Sequence, residues 1–258
     1  MKAIILAAGR GSRLSKYTSE IPKGLLKFGK YSLIEYQINM FKKLGINDIS
    51  IVTGYMHKKF KYNEVSYFHN EDYLKTNMVH SLFCASEKLS NQCIVCYSDI
   101  IYEEKVLQKL ISSECDIGVT VDCDFKDYWK FRLGNDYKSD MESMVIKTGQ
   151  ILSLGKSDPK PDEIDGRYVG LIKFSNKGVE KLNFFYNLFK KRNQKSRFGN
   201  RTFENWFMTD LLEKMIGEGV NITPVQISKG WLEFDTDDDY EKYLELLSQK
   251  KIERYINL

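Results

Sequence analysis

The sequence predicts an α/β fold with three layers, in which a mostly parallel central sheet lies between two layers of helices. Short apolar segments alternate with segments of helical periodicity along most of the chain. The first apolar segment, residues 2–7, runs directly into a glycine-rich loop, as a buried strand does when it ends at a ligand site. None of the 258 residues reads as a linker, so we expect a single domain over residues 1–258.

The first half of the chain supplies most of the expected sheet. Apolar spacing predicts a helix over Leu33–Lys43, and Gly45 is placed to end it. Further strands are expected over Ile49–Val52, Val65–Phe68, Ile94–Tyr97 and Ile117–Val121, and further helices over Asn77–Ala85 and Val106–Ile111.

The middle of the chain departs from this alternation. Residues 125–166 are polar and irregular, with hairpin-like segments at Met144–Ile146 and Ile151–Leu154, and we expect an inserted substrate-binding or lid region there. The regular pattern then returns. It predicts strands over Tyr168–Phe174, Val220–Ile227 and Trp231–Asp235, and helices over Gly178–Arg192, Phe203–Ile216 and Asp237–Leu247.

Composition is that of an ordinary globular protein. Hydrophobic residues make up 42% of the chain and charged residues 29%, which supplies ample material for a core. The chain starts at a strand without a signal-peptide pattern, and no apolar run approaches the ~20 residues that span a membrane. We therefore expect a cytoplasmic protein with no membrane partner.

The net charge of +4 is mildly basic, and much of the excess lies in residues 189–197. A solvated helix end and loop explains this run, and attraction of anionic substrates is the alternative. No recognised nucleic-acid-binding module surrounds it, so we expect no nucleic-acid partner. Nothing in the sequence marks a decisive interface, which leaves a monomer and a homodimer both open.

The cysteines have the pattern of reduced core thiols. There are five, an odd number, and most lie in apolar segments. Cys93 and Cys96 have the spacing of a redox or zinc pair, but they lie in an expected strand, where positions three apart face opposite sides. The three histidines have no metal-ligand spacing.

The glycine-rich loop has the chemistry of a phosphate site. Gly9 and Gly11 let backbone N–H groups approach phosphate oxygens closely, and Arg13 and Lys23 add positive charge. Leu14 stands where the dinucleotide-binding fingerprint has its third glycine, and the Gly-Lys-Ser/Thr ending of a P-loop is missing. Hydride transfer and a P-loop ATPase are therefore disfavoured.

The segment Ala3–Leu26 resembles the signature of the nucleotidyltransferases, Leu-Ala-Ala-Gly-x-Gly-x-Arg-Leu followed by Pro-Lys-x-Leu. Residues 70–82 resemble the cytidylyltransferases that activate phosphocholine and related compounds. Segments 139–142, 168–174, 209–212 and 230–236 resemble the branch found with phosphonate and capsule-modification pathways. The resemblance implies the Rossmann-like nucleotidyltransferase fold over nearly the whole chain.

The resemblance also implies a site for CTP and Mg²⁺. Arg13 and Lys23 are the expected catalytic cations, and Asp99 and Asp235 the expected metal ligands. A strand-end cap for Asp99 and a helix cap for Asp235 are the competing interpretations. The expected nucleotide contacts are Leu6, Ala7, Ala8, Gly9, Gly11, Ser12, Asn77, Ser81 and Ser98, where a helix cap at Asn77 and a buried hydroxyl at Ser81 remain open.

The acceptor site is the least explicit part of the sequence. Aromatic faces attract amines, arginine binds phosphate or carboxylate, and carboxylates bind amines, although most aromatic residues only fill a core. On this basis the expected acceptor contacts are Trp129, Arg132, Glu142, Tyr168, Asp210 and Trp231. The resemblance implies phosphocholine, 2-aminoethylphosphonate or phosphoglutamine as the acceptor, with phosphoglutamine slightly favoured.

Three other functions compete with a cytidylyltransferase. A sugar-1-phosphate nucleotidyltransferase would share the loop and both aspartates. A glycosyltransferase is suggested by Asp122-Cys123-Asp124, which imitates a metal-binding Asp-x-Asp, but it leaves Arg13 and Lys23 unexplained. A nucleotide-binding sensor without turnover is the alternative from another class, and the retention of both cations and both carboxylates argues against it.

Overall fold

A computed structural model of the chain describes residues 1–192 and 201–258. Its strands, in chain order, are β1 (Lys2–Ala7), β2 (Lys27–Phe28), β3 (Tyr31–Ser32), β4 (Asp48–Thr53), β5 (Ser66–His69), β6 (Cys93–Tyr97), β7 (Ile100–Tyr102), β8 (Ile117–Asp122), β9 (Glu142–Lys147), β10 (Gln150–Ser157), β11 (Arg167–Phe174), β12 (Thr223–Ile227) and β13 (Trp231–Glu233). Its α-helices are α1 (Ser15–Thr18), α2 (Leu33–Lys43), α3 (Met78–Cys84), α4 (Glu104–Ile111), α5 (Lys126–Leu133), α6 (Asn176–Arg192), α7 (Met208–Gly217) and α8 (Asp237–Ser248).

Seven strands form the central sheet, in the order β12-β8-β11-β6-β1-β4-β5. All neighbouring pairs are parallel except those of β11, which runs antiparallel to both β6 and β8. This confirms the predicted mostly parallel α/β sheet. Leu6 at the end of β1 pairs with Val52 and Tyr97, so the loops that follow β1, β4 and β6 emerge together.

Helices cover both faces of the sheet and enclose two cores. One core takes apolar residues from α2, α4, α5 and α8, and the other takes them from α3, α6 and α7. Cys96 belongs to the first core and Cys93 to the second, so their side chains diverge as strand geometry predicts. All five cysteines are free thiols, and their sulfurs form no redox or zinc pair.

Residues 125–166 are more regular than the sequence suggested. The hairpin is confirmed as antiparallel β9 and β10. The helix α5 was not expected, because two of its buried side chains, Tyr128 and Trp129, are aromatic, another is Arg132, and together they form no clear apolar stripe. Tertiary packing of these rings against the first core forms the helix where local periodicity is weak.

Two boundaries near the C-terminus also differ from the prediction. The helix expected from Phe203 begins at Met208, because Asp210 accepts a hydrogen bond from the backbone N–H of Phe207 and so fixes the first turn there. The last strand, β13, pairs antiparallel with β7 in a separate two-stranded sheet. Residues 193–197 of the basic run lie outside the described residues.

Among the helices of the two described ranges, none combines the length and the apolar character that a membrane crossing demands.

Candidate active site

The loop after β1 is shaped by Gly11. Its φ of 68° lies in the left-handed region, and a Cβ there would come 3.0 Å from Cβ of Lys23. The loop closes on itself, since Leu14 N donates to Gly11 O over 3.0 Å and Thr18 Oγ1 donates to the same oxygen over 3.0 Å. Glycine is required here because it admits both the backbone turn and the close approach of Lys23.

A cleft of about 240 Å³, called here the loop cleft, opens where this loop meets the end of β6 and the start of α3. It brings together all but one of the residues expected to bind nucleotide, metal or phosphate: Leu6, Ala8, Gly9, Gly11, Ser12, Arg13, Lys23, Asn77, Ser81, Ser98, Asp99 and Asp235. The exception is Ala7, which strand alternation turns into the first core. Tyr73, Met78 and Tyr97 also line the cleft and were not expected.

Two carboxylates and two cations meet in the loop cleft. Lys23 Nζ donates to Asp99 Oδ2 over 3.0 Å and to Asp235 Oδ1 over 3.1 Å. Arg13 Nη1 lies 2.7 Å from Asp235 Oδ2, while most of the arginine side chain stays exposed. The residues come from both ends and the middle of the chain, and folding alone makes them neighbours.

Lys23 is held in the charged form. Burial by itself would lower the pKa of the ammonium, but the nearby carboxylates of Asp99 and Asp235 outweigh burial and raise the pKa. The side chain is 11% exposed, so it has little access to water yet keeps a full positive charge. A buried, fixed cation of this kind suits the neutralisation of a phosphate group.

The donor set fits a divalent cation. Asp99 Oδ1 is buried and has no hydrogen-bond partner among the described residues, and it lies on the carboxylate whose other oxygen contacts Lys23. No group of three or more His, Cys, Asp or Glu side chains in those residues could hold a metal alone. Magnesium is commonly bound by one or two carboxylates together with substrate phosphates, and Asp99 with Asp235 matches that arrangement.

The local hydrogen bonds of Asp235, Asn77 and Ser81 show which of these residues act as helix caps or buried hydroxyl groups. Asp235 is not the cap of α8, because Thr236 is the N-cap and Asp239 completes the capping box. Asn77 does cap α3, accepting from the backbone N–H of Met78 over 2.9 Å, and it lines the loop cleft as well. Ser81 is a buried hydroxyl that accepts from Asn70 Nδ2 over 2.9 Å.

A second cavity of about 170 Å³, called here the side chamber, adjoins the loop cleft. The two share Arg13, Met78, Tyr97 and Asp235. The other residues of the side chamber are Asp140, Glu142, Arg167, Tyr168, Phe207, Thr209 and Glu233. A molecule placed there reaches the loop cleft past Arg13 and Asp235.

Glu142 and Tyr168, two of the expected acceptor contacts, face the side chamber. Burial raises the pKa of Glu142, partly offset by Arg167, and among the described residues no cation forms an ion pair with it. Gly170 sets the position of Tyr168, because the register of β11 shifts there and a Cβ would come 2.6 Å from the Tyr97 ring. The hydroxyl groups of Tyr97 and Tyr168 then meet at 3.3 Å.

The other four expected acceptor contacts lie on neither cavity described above. Trp129 and Trp231 are buried in the first core, where aromatic packing explains them. Arg132 is buried and binds Asp239 and Glu233. Asp210 caps α7 and pairs with Arg201 at 3.1 Å. Each of these polar side chains is occupied by an internal partner.

Several residues of the two cavities were missed by sequence reasoning. Tyr97 directly precedes Ser98 at the end of β6, and Glu233 stands two positions before Asp235, so both lie beside expected site residues. Arg167 opens β11 and lies next to Tyr168. The end of β6 at the carboxyl edge of the central sheet was the signal that could have found Tyr97, and the end of the short strand β13 before Asp235 was the signal for Glu233.

The Asp-x-Asp segment is structural. Asp122 is fully buried, accepts from Trp231 Nε1 over 2.9 Å and from Asp124 N over 2.9 Å, and does not line the loop cleft. Desolvation by burial raises its pKa in spite of these donors. Its oxygens are thus committed to the core, which removes the observation that suggested a glycosyltransferase.

Comparison with known proteins agrees with this geometry. The family described as MobA-like NTP transferase domain matches residues 3–127. CTP:phosphoglutamine cytidylyltransferase of Campylobacter jejuni is 35% identical over 95% of this chain and 100% of its own length. Choline-phosphate cytidylyltransferase of Streptococcus pneumoniae is 36% identical over 59% of this chain and 68% of its own.

A solved structure shares the fold. That of CTP:phosphocholine cytidylyltransferase from Streptococcus pneumoniae superposes with a TM-score of 0.73, at 24% identity, over 95% of this chain and 98% of that one. This shared fold and the 35% identity to the Campylobacter jejuni enzyme over that enzyme's full length together confirm the resemblance that the sequence motifs indicated. The chain belongs to the nucleotidyltransferase family, in its cytidylyltransferase branch.

Proposed function

We propose that this enzyme transfers CMP from CTP to a small phosphorylated amine or amino acid and releases pyrophosphate. The observation that carries the proposal is the position of Lys23 between Asp99 and Asp235. These residues lie in the loop cleft, next to the glycine-rich loop, and the side chamber adjoins the cleft. A phosphate-binding loop alone would serve many reactions. Paired carboxylates, a fixed ammonium and an adjoining chamber are the parts that attack on an α-phosphate requires.

The proposed reaction forms one bond and breaks another at the same phosphorus. An oxygen of the acceptor phosphate attacks the α-phosphorus, and the bond from that phosphorus to the bridging β-oxygen breaks, so pyrophosphate leaves with the electron pair. The attacking phosphate is ionised at neutral pH, so no general base is needed. The main requirement is to bring two anions together, and Lys23 and Arg13 supply positive charge for it.

Each cation has a distinct place in this proposal. Lys23 is buried and fixed, so it is placed to contact the α-phosphate and the incoming phosphate. Arg13 is mostly exposed and borders both cavities, so it can hold the β- and γ-phosphates. Asp99 and Asp235 would hold Mg²⁺, which when bound neutralises phosphate charge and polarises the phosphoryl oxygens.

The side chamber is the proposed acceptor site. Glu142 gives it a carboxylate that has no ion-pair partner among the described residues, whereas Asp140 is paired with Arg167 and Glu233 with Arg132. Tyr97 and Tyr168 add hydroxyl groups. Carboxylates of this kind attract an ammonium group, whereas a neutral sugar gains less from them. Together with the relative that acts on phosphoglutamine, this favours phosphoglutamine, with phosphocholine and 2-aminoethylphosphonate as the alternatives within the same class.

Two further features belong to the proposal. The first is that residues 1–258 act as one domain. In its support, β10 of the inserted region 125–166 is bound to α7 by a hydrogen bond from Leu154 N to Glu213 Oε2 of 2.9 Å. The proposed location is the cytoplasm, which five free cysteines support. The proposal assigns no nucleic-acid or membrane partner, and it requires no second copy, although a homodimer is compatible with it.

The test is to incubate the purified protein with each of the four common NTPs, Mg²⁺ and a panel of acceptors, and to record pyrophosphate release. The panel holds phosphocholine, 2-aminoethylphosphonate, phosphoglutamine and two sugar 1-phosphates. CTP-dependent release with an amine-bearing acceptor is expected, and EDTA should abolish it. Release only with a sugar 1-phosphate, or none with CTP, refutes the proposal.

A further inference from the structure

Arg132 lies outside both the loop cleft and the side chamber, yet it is joined to the segment that carries Asp235. Its side chain is 2% exposed. Nε donates to Asp239 Oδ1 over 2.9 Å, Nη2 donates to Asp239 Oδ2 over 2.8 Å, and Nη1 pairs with Glu233. A two-point bond between a planar guanidinium and a carboxylate fixes direction as well as distance.

Asp239 transmits this constraint to Asp235. Its carboxylate is fully buried, and Oδ2 accepts hydrogen bonds from the backbone N–H of Asp235 over 3.2 Å and of Thr236 over 3.0 Å. The same oxygen receives Nη2 of Arg132. The backbone of Asp235 is thus held by a carboxylate that Arg132 orients.

The neighbouring residues of the segment are held as well. Tyr128 Oη accepts from Glu233 N over 2.8 Å, and Tyr243 Oη donates to Glu233 O over 3.0 Å. Phe234 N donates to Asp99 O over 2.8 Å, which joins the backbones that carry the two carboxylates around Lys23. The position of Asp235 relative to Asp99 therefore depends on contacts on both sides of the segment.

We propose that Arg132 is a positioning residue of the transfer reaction. Through Asp239 it fixes the carboxylate of Asp235 for a divalent cation, and through Glu233 it fixes one wall of the side chamber. The inference rests on the proposed function for the role of Asp235 as a metal ligand. Residues that hold metal ligands from behind typically change metal affinity or activity by 10- to 100-fold when they are replaced.

A purely structural ion pair would behave differently. Removing one partner of a buried pair leaves the other charge uncompensated and destabilises the fold. It would not change how much metal the folded protein needs. Metal dependence therefore separates the two roles, and stability does not.

The test compares Arg132→Met and Arg132→Lys with the wild type. We would measure the Mg²⁺ concentration for half-maximal turnover at saturating CTP, and Mn²⁺ binding in the presence of CTP by electron paramagnetic resonance. Arg132→Met should raise both the Mg²⁺ requirement and the Mn²⁺ dissociation constant about 10-fold. Arg132→Lys should recover part of the loss, because one ammonium can contact Asp239 without the two-point geometry.

Lys173→Met is the matched control. Lys173 is a buried cation outside both cavities, and its Nζ donates to Ile111 O over 2.7 Å and to Ser113 O over 2.5 Å. Its removal should lower thermal stability while Mn²⁺ affinity and the Mg²⁺ requirement stay at wild-type values. The control thus shows what loss of a buried cation does when no metal ligand is involved.

The outcomes are decisive in each case. Unchanged Mn²⁺ affinity in either folded Arg132 variant overturns the inference, and if Arg132→Met does not fold, Arg132→Lys decides. If the wild type binds Mn²⁺ and the variants weaken it, but no CTP turnover exists, the positioning role stands and the proposed function fails. If the wild type turns over CTP and the variants keep its metal dependence, only the positioning role fails. A wild type that binds no Mn²⁺ refutes both.

Discussion

Lys23 Nζ lies 3.0 Å from Oδ2 of Asp99, although 76 positions separate the two residues in the chain. The bond joins the segment after the glycine-rich loop to the residues that follow β6. This is the edge of the sheet where β1, the parallel neighbour of β6, also ends. A cation fixed by its own protein partners needs little reorganisation when a phosphate arrives. Preorganised charge of this kind stabilises a transition state more than a ground state.

Replacing Lys23 with alanine should therefore reduce kcat far more than it raises the KM for CTP. Loss of one preorganised electrostatic contact typically lowers kcat by about 10²- to 10³-fold. Steady-state kinetics with CTP as the varied substrate measures both constants. Lys27→Ala is the control, since the Lys27 side chain is 65% exposed and forms a surface pair with Glu35, and it should leave both constants unchanged. Wild-type kcat in Lys23→Ala would refute the assigned role.

The pKa of Lys23 predicts how turnover depends on pH. Burial alone would lower the pKa, but Asp99 and Asp235 raise it above the ordinary 10.5. A lysine whose pKa is raised keeps its charge below the ordinary value and loses it only as pH rises through the higher one. The pH profile of kcat should show no falling limb between about pH 7.5 and about pH 9.5. A fall of kcat within that pH range in the wild type that is lost in Lys23→Arg would contradict the raised pKa of Lys23.

Replacing Glu142 with glutamine should weaken the binding of amine-bearing acceptors selectively. A hydrogen bond to a charged group contributes about 1.5–3 kcal/mol, so the acceptor KM should rise about 10- to 100-fold while the KM for CTP stays the same. Kinetics with 2-aminoethylphosphonate and with an acceptor that lacks an amine measures the selectivity. Glu163→Gln is the control, because Glu163 lies in the same region but lines neither cavity. An equal effect on both acceptors would show that Glu142 does not contact the amine.

Trp231→Phe should reduce stability and leave acceptor binding intact. Trp231 Nε1 donates to Asp122 Oδ2 over 2.9 Å, and both side chains are buried. Phenylalanine would leave that carboxylate oxygen without its donor, at a cost of about 1–3 kcal/mol in the free energy of unfolding. Urea denaturation measures the loss. A raised acceptor KM at unchanged stability would restore Trp231 to the acceptor site.

Local patterns predicted most of the fold. Apolar spacing located α2 at its observed bounds, Leu33–Lys43, because its stripe and its capping signals agree. The same reasoning missed α5, whose aromatic side chains have no helical stripe and are ordered by packing against Trp231 and Tyr243. Where local signals and tertiary packing differ, packing decided the element.

The sequence by itself determined the phosphate chemistry and most of the residues that meet in the loop cleft. Glycines, basic residues and strand-end aspartates carry that information in their identity and spacing, since backbone freedom and charge are local properties. It could not separate the residues that face the side chamber from those that support it. Arg132 and Glu142 both looked like acceptor contacts, because a charged residue looks the same in a sequence whether its partner is a ligand or another side chain. Tertiary structure alone decided that the charge of Arg132 is taken by Asp239 and Glu233 and that Glu142 faces a cavity, because only folding determines which partners lie within reach.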